Sequence, residues 1–376
     1  MINLLSAASV WGTIGSVILA IVILLVMVTV HEFGHYIAGK ILKFKINEFA
    51  VGFGPKLFKR TSKKTGEAFS VRLFPLGGFC AFAGEDEEAE DERSFNSKAP
   101  WKRVIVLLAG PLFNYILALL LIMISMGAFG QPVFKVGAVA PYEGANAEIY
   151  AEYSLTEEDV ILSVEGRNIY LVTDFISALK GKKAGDEAAA CVVRGGNAEN
   201  IKIKLRTDCD FESSSDTSKV WRALGIGTYV AENGLSYYNI GAVNYRFGFF
   251  ETIGRSFAYS GRVAGTIFKV LGELLTGRLG LSAMGGPVTT IKVTSELASQ
   301  SIQSFFEIAA YIGVNLAVFN LLPIPALDGS KIVFCIIEWI FKKPVPRKVE
   351  AIIHTVGFIL ILAFAVLIDV LQFVRC

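Results

Sequence analysis

The stretch T-V-H-E-F-G-H-Y (residues 29–36) ends an N-terminal run that contains no Asp, Glu, Lys or Arg before position 31. Residues four apart lie on one face of an α-helix, so His31 and His35 can direct their imidazoles at one ion. Glu32 adjoins His31 and can reach a water bound to that ion. The H-E-x-x-H pattern therefore predicts two zinc ligands and a general base on one helix.

The rarity of histidine strengthens this interpretation. Only three histidines occur in 376 residues, and two of them complete the pattern. The alternative is a pair of hydrogen-bonded histidines near a membrane surface. An ionisable side chain in an apolar span costs about 2.5 kcal/mol or more, so such residues usually have a function. We therefore favour a metal site.

The composition is typical of an integral membrane protein. Hydrophobic residues make up 53% of the chain, charged residues 19%, and the mean hydropathy is +0.52. The net charge of +2 and the lack of a basic patch interleaved with aromatics give no basis for nucleic-acid binding. The five cysteines lack C-x-x-C spacing, which indicates neither a disulfide framework nor a cysteine zinc site. Without a basic region before it, the first apolar run is expected to be a retained span rather than a cleaved signal peptide.

Four stretches are apolar over the roughly 20 residues that a membrane-spanning helix needs. They are Thr13–Gly39, Val104–Phe129, Ile308–Leu327 and Ala351–Ile368. Two prolines interrupt the third stretch, and a helix can be broken at membrane depth only where protein or a water-filled cavity covers its backbone. The third span is therefore expected to be broken.

Lysines and arginines predict the orientation of these spans. They cluster after the first span, before the second and after the third, which places the loops 42–100 and 328–350 in the cytoplasm. Both termini and the long segment 130–300 are then expected outside. His31 lies about 27 Å along the first span, near the cytoplasmic edge of the hydrocarbon core. Asp328 follows the third span and emerges at the same depth.

A catalytic zinc ion needs a third protein ligand and one open position. The extended pattern H-E-x-x-H-x-x-G-x-x-H is absent, because positions 38 and 41 are alanine and isoleucine. Glu48 and Glu67 are possible ligands but lie in a basic loop, and His354, alone in the fourth span, is expected to be structural. Asp328 is the better candidate by its depth and by its setting in N-L-L-P-I-P-A-L-D-G (320–329).

The paired motifs resemble the site-2 protease family of intramembrane zinc metalloproteases. Four shorter motifs extend the resemblance over nearly the whole chain: V-G-F-G-P (51–55), P-L-G-G-F (75–79), A-G-P-L-F-N (109–114) and G-G-P-V (285–288). The segment between the second and third spans is similar to that of the bacterial branch with one PDZ domain, the regulator of sigma E protease-like branch. That branch cleaves anti-sigma factors and signal-peptide remnants.

The resemblance implies a role for each site residue. His31, His35 and Asp328 would bind Zn²⁺, and Glu32 would be the general base. Asn320 would help to position an unwound substrate strand. The implied activity is cleavage of single-span membrane proteins within the lipid bilayer, in regulated intramembrane proteolysis. The implied location is the bacterial inner (plasma) membrane, with the active site near its cytoplasmic face.

The expected fold is a polytopic α-helical membrane protein of about four transmembrane helices, with a cytoplasmic membrane-associated β-hairpin and an extracytoplasmic α/β PDZ domain. The hairpin is predicted at Ala68–Ala83, where apolar and polar residues alternate up to Pro75. The predicted divisions are a first transmembrane helix (1–41), a cytoplasmic loop (42–100), a second transmembrane helix (101–130), the PDZ domain (131–208), a linker with an amphipathic helix (209–300), a broken third segment (301–329), a cytoplasmic loop (330–350) and a fourth transmembrane helix (351–376).

Local patterns predict further elements. Strands are expected at Lys135–Val139, Val160–Val164, Ala189–Val193 and Ile201–Leu205, with a helix near Val172–Leu179. Phe249–Leu275 has apolar residues at helical spacing, which suits an amphipathic helix at the membrane interface or on the bundle. The acidic run at 85–92 is expected to be solvated and disordered.

Two other functions are open at this point. A membrane scaffold or chaperone would use zinc structurally, but structural zinc sites are usually closed, whereas this one leaves a position open. A transporter would explain the broken span, but four spans without internal repeats fit that function poorly. A zinc-dependent intramembrane endopeptidase is the favoured function.

Overall fold

The computed structural model describes residues 4–85, 91–141, 153–231, 234–279 and 285–375. Most of the predicted acidic run lies outside these ranges. The chain divides into two compact units, one formed by residues 1–124 and 281–376 and the other by residues 125–280.

The helices and strands are numbered along the chain. The helices are α1 (Leu4–Ile41), α2 (Pro100–Phe129), α3 (Val172–Leu179), α4 (Thr217–Ala223), α5 (Phe249–Leu275), α6 (Pro287–Ala298), α7 (Ile302–Leu321), α8 (Asp328–Phe341) and α9 (Arg347–Arg375). The strands are β1 (Ile46–Thr61), β2 (Ala68–Phe82), β3 (Gln131–Val136), β4 (Val160–Val164), β5 (Arg167–Asn168), β6 (Glu187–Arg194), β7 (Asn197–Lys204), β8 (Thr228–Val230), β9 (Ser236–Tyr238) and β10 (Ile240–Tyr245).

Four of the described helices are long and apolar enough to cross a bilayer. The segments are Ile14–Ile41 in α1, all of α2, all of α7 and Lys348–Gln372 in α9. On α9, Leu360 and Leu362 are more than half exposed, which is expected where side chains face lipid rather than water. This confirms the prediction of a polytopic membrane protein.

The third span is broken, as predicted, but it ends earlier than the apolar run does. α7 stops at Leu321 and α8 begins at Asp328, because the two prolines between them lack the N–H that a helix requires. The segment predicted as a loop between the third and fourth spans, 330–350, contains most of α8, which continues to Phe341. Its apolar residues recur at helical spacing among charged ones, a signal that a search for charge-free runs does not use.

An aspartate on α9 caps a neighbouring helix. Asp369 accepts hydrogen bonds from the backbone N–H groups of Val288 (3.0 Å) and Thr289 (3.4 Å) at the N-terminus of α6. The positive end of a helix dipole and its free N–H groups stabilise a carboxylate there. This contact explains why the G-G-P-V motif and an acidic residue in an apolar span occur together.

β1 and β2 form a bent sheet. Residues 48–51 of β1 pair with residues 78–81 of β2 on one side and with 68–71 on the other, while 56–61 pair with 68–72. The sheet therefore has four strand segments, with 56–61 and 78–82 at its edges.

The hairpin predicted within Ala68–Ala83 is wrong, because residues 68–71 and 78–81 both pair with residues 48–51 of β1. The turn lies at 62–67, and residues 75–78 form a bend within β2. β1 bends opposite it at Gly52 and Gly54, whose φ angles of +87° and +84° are left-handed. The alternation of apolar and polar side chains predicted a strand at 68–74, but it carries no information on which segment that strand pairs with.

Glu48 holds two segments of this sheet together. Its carboxylate accepts hydrogen bonds from Ser70 Oγ (2.6 Å), Arg72 Nη2 (2.8 Å) and Lys56 Nζ (3.2 Å). Burial acts to raise the pKa of Glu48, but these three donors outweigh it and lower the pKa to about 2.

We expect Glu48 to make the sheet sensitive to acid. A carboxylate whose folded pKa lies below its ordinary value of 4.5 stabilises the fold above pH 4.5, and that stabilisation is lost as the pH falls toward 2. Amide-exchange protection factors for residues 68–72 should fall about 10-fold or more over that range. In Glu48→Gln they should already be lower at pH 7 and should change little with acid. Equal pH dependence in both proteins would contradict this assignment.

The second unit is built on a sheet with the strand order β10-β3-β4-β6-β7, and β5 pairs with β4. α3 and α4 cover it, and the rings of Phe134, Phe175 and Trp221 pack together in the core. β4 and α3 occupy the predicted residues. β10 lies in the predicted linker and joins the sheet beside β3, a long-range pairing that local patterning does not reveal.

The amphipathic helix predicted at Phe249–Leu275 is confirmed as α5. Within the second unit it makes polar contacts with α3 and with the segment before α4. Arg262 pairs with Asp174 of α3 at 3.2 Å, and Glu273 accepts hydrogen bonds from the backbone N–H (3.0 Å) and hydroxyl (2.6 Å) of Ser214. Polar contacts therefore hold α5 against α3 and against the segment that contains Ser214.

Candidate metal centre

Three side chains from α1 and α8 converge on one point. The Nε2 atoms of His31 and His35 lie 3.2 Å apart. Asp328 Oδ2 lies 3.0 Å from the first and 3.4 Å from the second. The histidines share a face of α1, as their spacing predicts, and Asp328 is the first residue of α8.

This donor set fits a zinc ion. Four ligands at about 2.0–2.1 Å in a tetrahedron lie about 3.3 Å from one another, close to the three separations observed. Asp328 Oδ2 is buried, and no hydrogen bond of acceptable angle reaches it from a described residue. A buried carboxylate oxygen without a partner is costly unless a cation binds it. The three donors could therefore hold one metal ion and leave a position open.

α2 orients both imidazoles. His35 Nδ1–H donates to the carbonyl oxygen of Val106 at 2.8 Å, which leaves Nε2 free as a ligand. His31 Nδ1 lies 3.3 Å from the amide nitrogen of Asn114, whose Oδ1 is buried without a hydrogen-bond partner among the described residues. Turning this amide over lets Oδ1 accept from His31 Nδ1–H, so both Nε2 atoms face the same point.

The two helices cross in direct contact at glycines. A Cβ at Gly110 of α2 would run into His35 Nε2 and lie 2.9 Å from His31 Cε1. A Cβ at Gly34 of α1 would run into the carbonyl oxygen of Ala109. The motif A-G-P-L-F-N therefore supplies the close approach at Gly110 and the amide of Asn114. The motif could be recognised in the sequence, but its contacts with the histidines depend on how α2 crosses α1.

Glu32 faces open space beside the three donors. The backbone of Cys80 lies beside its carboxylate. A cavity of about 220 Å³ is lined by Glu32 together with His31, Asn320 and Asp328. A second cavity of about 390 Å³ is lined by Glu32, His35, Asp328 and residues 79–82. A carboxylate in this position can accept a proton from a water in either cavity.

The structure brings all five predicted site residues together. Asn320, near the end of α7, lines the smaller cavity with His31, Glu32 and Asp328. The other candidates for third ligand have different partners. Glu48 binds Ser70 and Arg72, Glu67 pairs with Lys40 at 2.5 Å, and His354 accepts a hydrogen bond from the backbone of the turn before α8.

Two imidazoles on a membrane-spanning helix and a carboxylate at the start of α8, with a glutamate beside an open cavity, define a membrane-embedded metalloprotease. Comparison with known proteins gives the family. The profile described as Peptidase family M50 matches residues 19–364. The chain therefore belongs to peptidase family M50, the site-2 protease family.

The relatives agree with this assignment. A Clostridium perfringens protein named "Putative zinc metalloprotease" is 32% identical over 356 residues, covering 94% of this chain and 97% of its own. Relatives with the same descriptive name come from Fusobacterium nucleatum (31% identical, covering 94% and 97%) and Nostoc (29%, covering 94% and 95%). The chain is a zinc metalloprotease and a multi-pass protein of the inner membrane, which confirms the predicted enzyme class and cofactor.

Proposed function

We propose that this protease cuts the transmembrane segments of single-span membrane proteins, such as anti-sigma factors and signal-peptide remnants, in regulated intramembrane proteolysis. The observation that carries the proposal is the convergence of His31, His35 and Asp328 at the ends of apolar helices, with Glu32 beside an open cavity. A protease built this way meets its substrate inside the bilayer rather than in water.

The residues divide the work of peptide hydrolysis. His31, His35 and Asp328 hold the metal. Zinc bound there supplies an activated water and polarises the scissile carbonyl. Glu32 accepts a proton from the attacking water and delivers it to the leaving amine nitrogen. Glu32 and Cys80 line the same cavity, so the carboxylate lies at the cavity wall.

Substrate presentation falls to the bent sheet. A transmembrane helix hides its amides in its own hydrogen bonds, so a substrate must unwind before it can be cut. The edge segment 78–82 lines the larger cavity beside Glu32. An exposed strand edge can pair with an extended peptide by strand addition. Asn320 lines the smaller cavity, and its side-chain amide positions the same extended substrate segment.

The second unit acts as an external filter. Its sheet with α3 and α4 supports assignment of residues 131–208 as a PDZ domain, which admits substrates already trimmed outside the membrane. We propose the remaining divisions as the sequence predicts them, from a first transmembrane helix (1–41) to a fourth (351–376). The distribution of lysine and arginine supports an orientation with both termini and the PDZ domain outside and the active site near the cytoplasmic face.

Substrate unwinding can be tested on a reporter single-span protein. Two Ala→Gly changes near the cytoplasmic end of the reporter segment weaken its helix by about 2 kcal/mol. Because unwinding precedes cleavage, kcat/KM should rise about 10-fold. The same two changes near the opposite end are the matched control and should have little effect. Equal rates for both reporters would contradict cleavage of an unwound segment near the cytoplasmic face.

A further inference from the structure

His354 is the histidine that the metal centre does not use. It lies on α9, with its side chain 17% exposed. Its Nδ1 lies 3.0 Å from the backbone nitrogen of Ala326. A backbone nitrogen always donates, so Nδ1 is the acceptor and the neutral ring carries its proton on Nε2. The fourth span is thereby bonded to the turn that joins α7 to α8.

Ala326 has an unusual backbone conformation. Its φ of +72° lies in the left-handed region, which costs a residue with a side chain about 1 kcal/mol or more. Such a conformation persists only where surrounding contacts impose it. His354 is one of these contacts. One helical turn further along α9, Gly357 has no room for a Cβ because Pro325 occupies that space.

The turn passes this constraint directly to Asp328. Leu327 follows Ala326, and its N–H donates to the carbonyl oxygen of Ile324 at 3.1 Å. The Leu327 carbonyl accepts from the hydroxyl (2.8 Å) and N–H (3.2 Å) of Ser330 in the first turn of α8. Asp328 therefore begins a helix whose start is fixed by the conformation of the two residues before it.

We propose that His354 is a positioning residue that holds the 322–327 turn in the conformation that brings Asp328 to His31 and His35. This rests on the proposed role of Asp328 as a metal ligand. A rotation at Ala326 moves the first residue of α8, and Oδ2 must reach both imidazoles at once. The residue acts through the backbone and touches neither substrate nor metal.

A matched pair of amides tests the proposal in the full-length protein. In His354→Asn the side-chain oxygen replaces Nδ1, whereas in His354→Gln it replaces Nε2 and the acceptor near Ala326 is lost. Both variants are polar and similar in size, so a general loss of packing affects them alike. Thr355→Val, the next residue on α9, serves as the control.

Two measurements test separately whether His354 constrains the turn and whether the turn positions Asp328. In zinc-free protein, amide exchange of Ala326 should be about 10-fold faster in His354→Gln than in wild type, with His354→Asn and Thr355→Val close to wild type. Zinc affinity, measured by competition with a chelator, should fall 10- to 100-fold in His354→Gln alone. Rescue by Asn distinguishes positioning from bulk stability.

Two results would overturn the proposal. Unchanged exchange at Ala326 in His354→Gln would mean that the ring does not constrain the turn. Faster exchange with unchanged zinc affinity would mean that the turn does not position the ligand. Neither measurement depends on peptide cleavage, so both are distinct from failure of the proposed protease activity.

Discussion

Replacing Glu32 with Gln should lower kcat for cleavage of a single-span reporter by about 10²- to 10⁴-fold, while zinc remains bound. Gln has nearly the same size and shape, so it should fit the same place at the cavity wall. It cannot take a proton from water. Reporter cleavage in proteoliposomes, together with the zinc content of the purified protein, measures the two effects separately.

Glu307 offers a matched control for this substitution. It also lies on an apolar helix, α7, where its carboxylate accepts a hydrogen bond from Gln303 at 2.7 Å. It does not line either cavity beside the donors. Glu307→Gln should therefore cleave at close to the wild-type rate. Undiminished cleavage by Glu32→Gln would contradict the assignment of Glu32 as the general base.

Gly110→Ala should lower zinc affinity by about 10²-fold or more and abolish cleavage with it. The added methyl group would meet His35 Nε2 and His31 Cε1, so both imidazoles would have to move. The imidazoles would then turn away from Asp328 Oδ2. Chelator competition and thermal unfolding, measured on the same preparation, follow affinity and fold.

The same helix contains a control glycine. A Cβ at Gly127 would meet nothing within 4 Å. Gly127→Ala should leave zinc affinity unchanged and stabilise α2 by up to about 1 kcal/mol, because alanine favours the helical state. If Gly110→Ala bound zinc as tightly as Gly127→Ala, the contact between α2 and the imidazoles would be looser than the structure describes.

Two parts of the metal centre could be predicted from sequence, for different reasons. His31 and His35 share a helix, so their spacing alone places them on one face. Asp328 lies far away in the chain, and its prediction came from membrane depth. Membrane depth is informative because the bilayer fixes how far along its normal each residue of a span lies. It gives no information on which helices are neighbours.

The groups that orient the ligands could not be predicted. The Val106 carbonyl that holds His35 belongs to the backbone, so its identity leaves no signal in the sequence. Asn114 lies in a motif, but its contact with His31 exists only because α2 crosses α1. The prediction of the strand pairing in the bent sheet failed for a related reason. Residues 48–51 pair with two different segments of β2, and the alternation of apolar and polar side chains specifies neither pairing.

The donors of the metal centre are separated by about 300 residues of the chain. A ribosome completes the helix bearing His31 and His35 long before it reaches Asp328. A nascent chain that stops before Asp328 cannot assemble the cutting centre. Biogenesis thus provides a safeguard, since a protease immersed among other nascent membrane proteins becomes competent only after its third metal ligand has been synthesised.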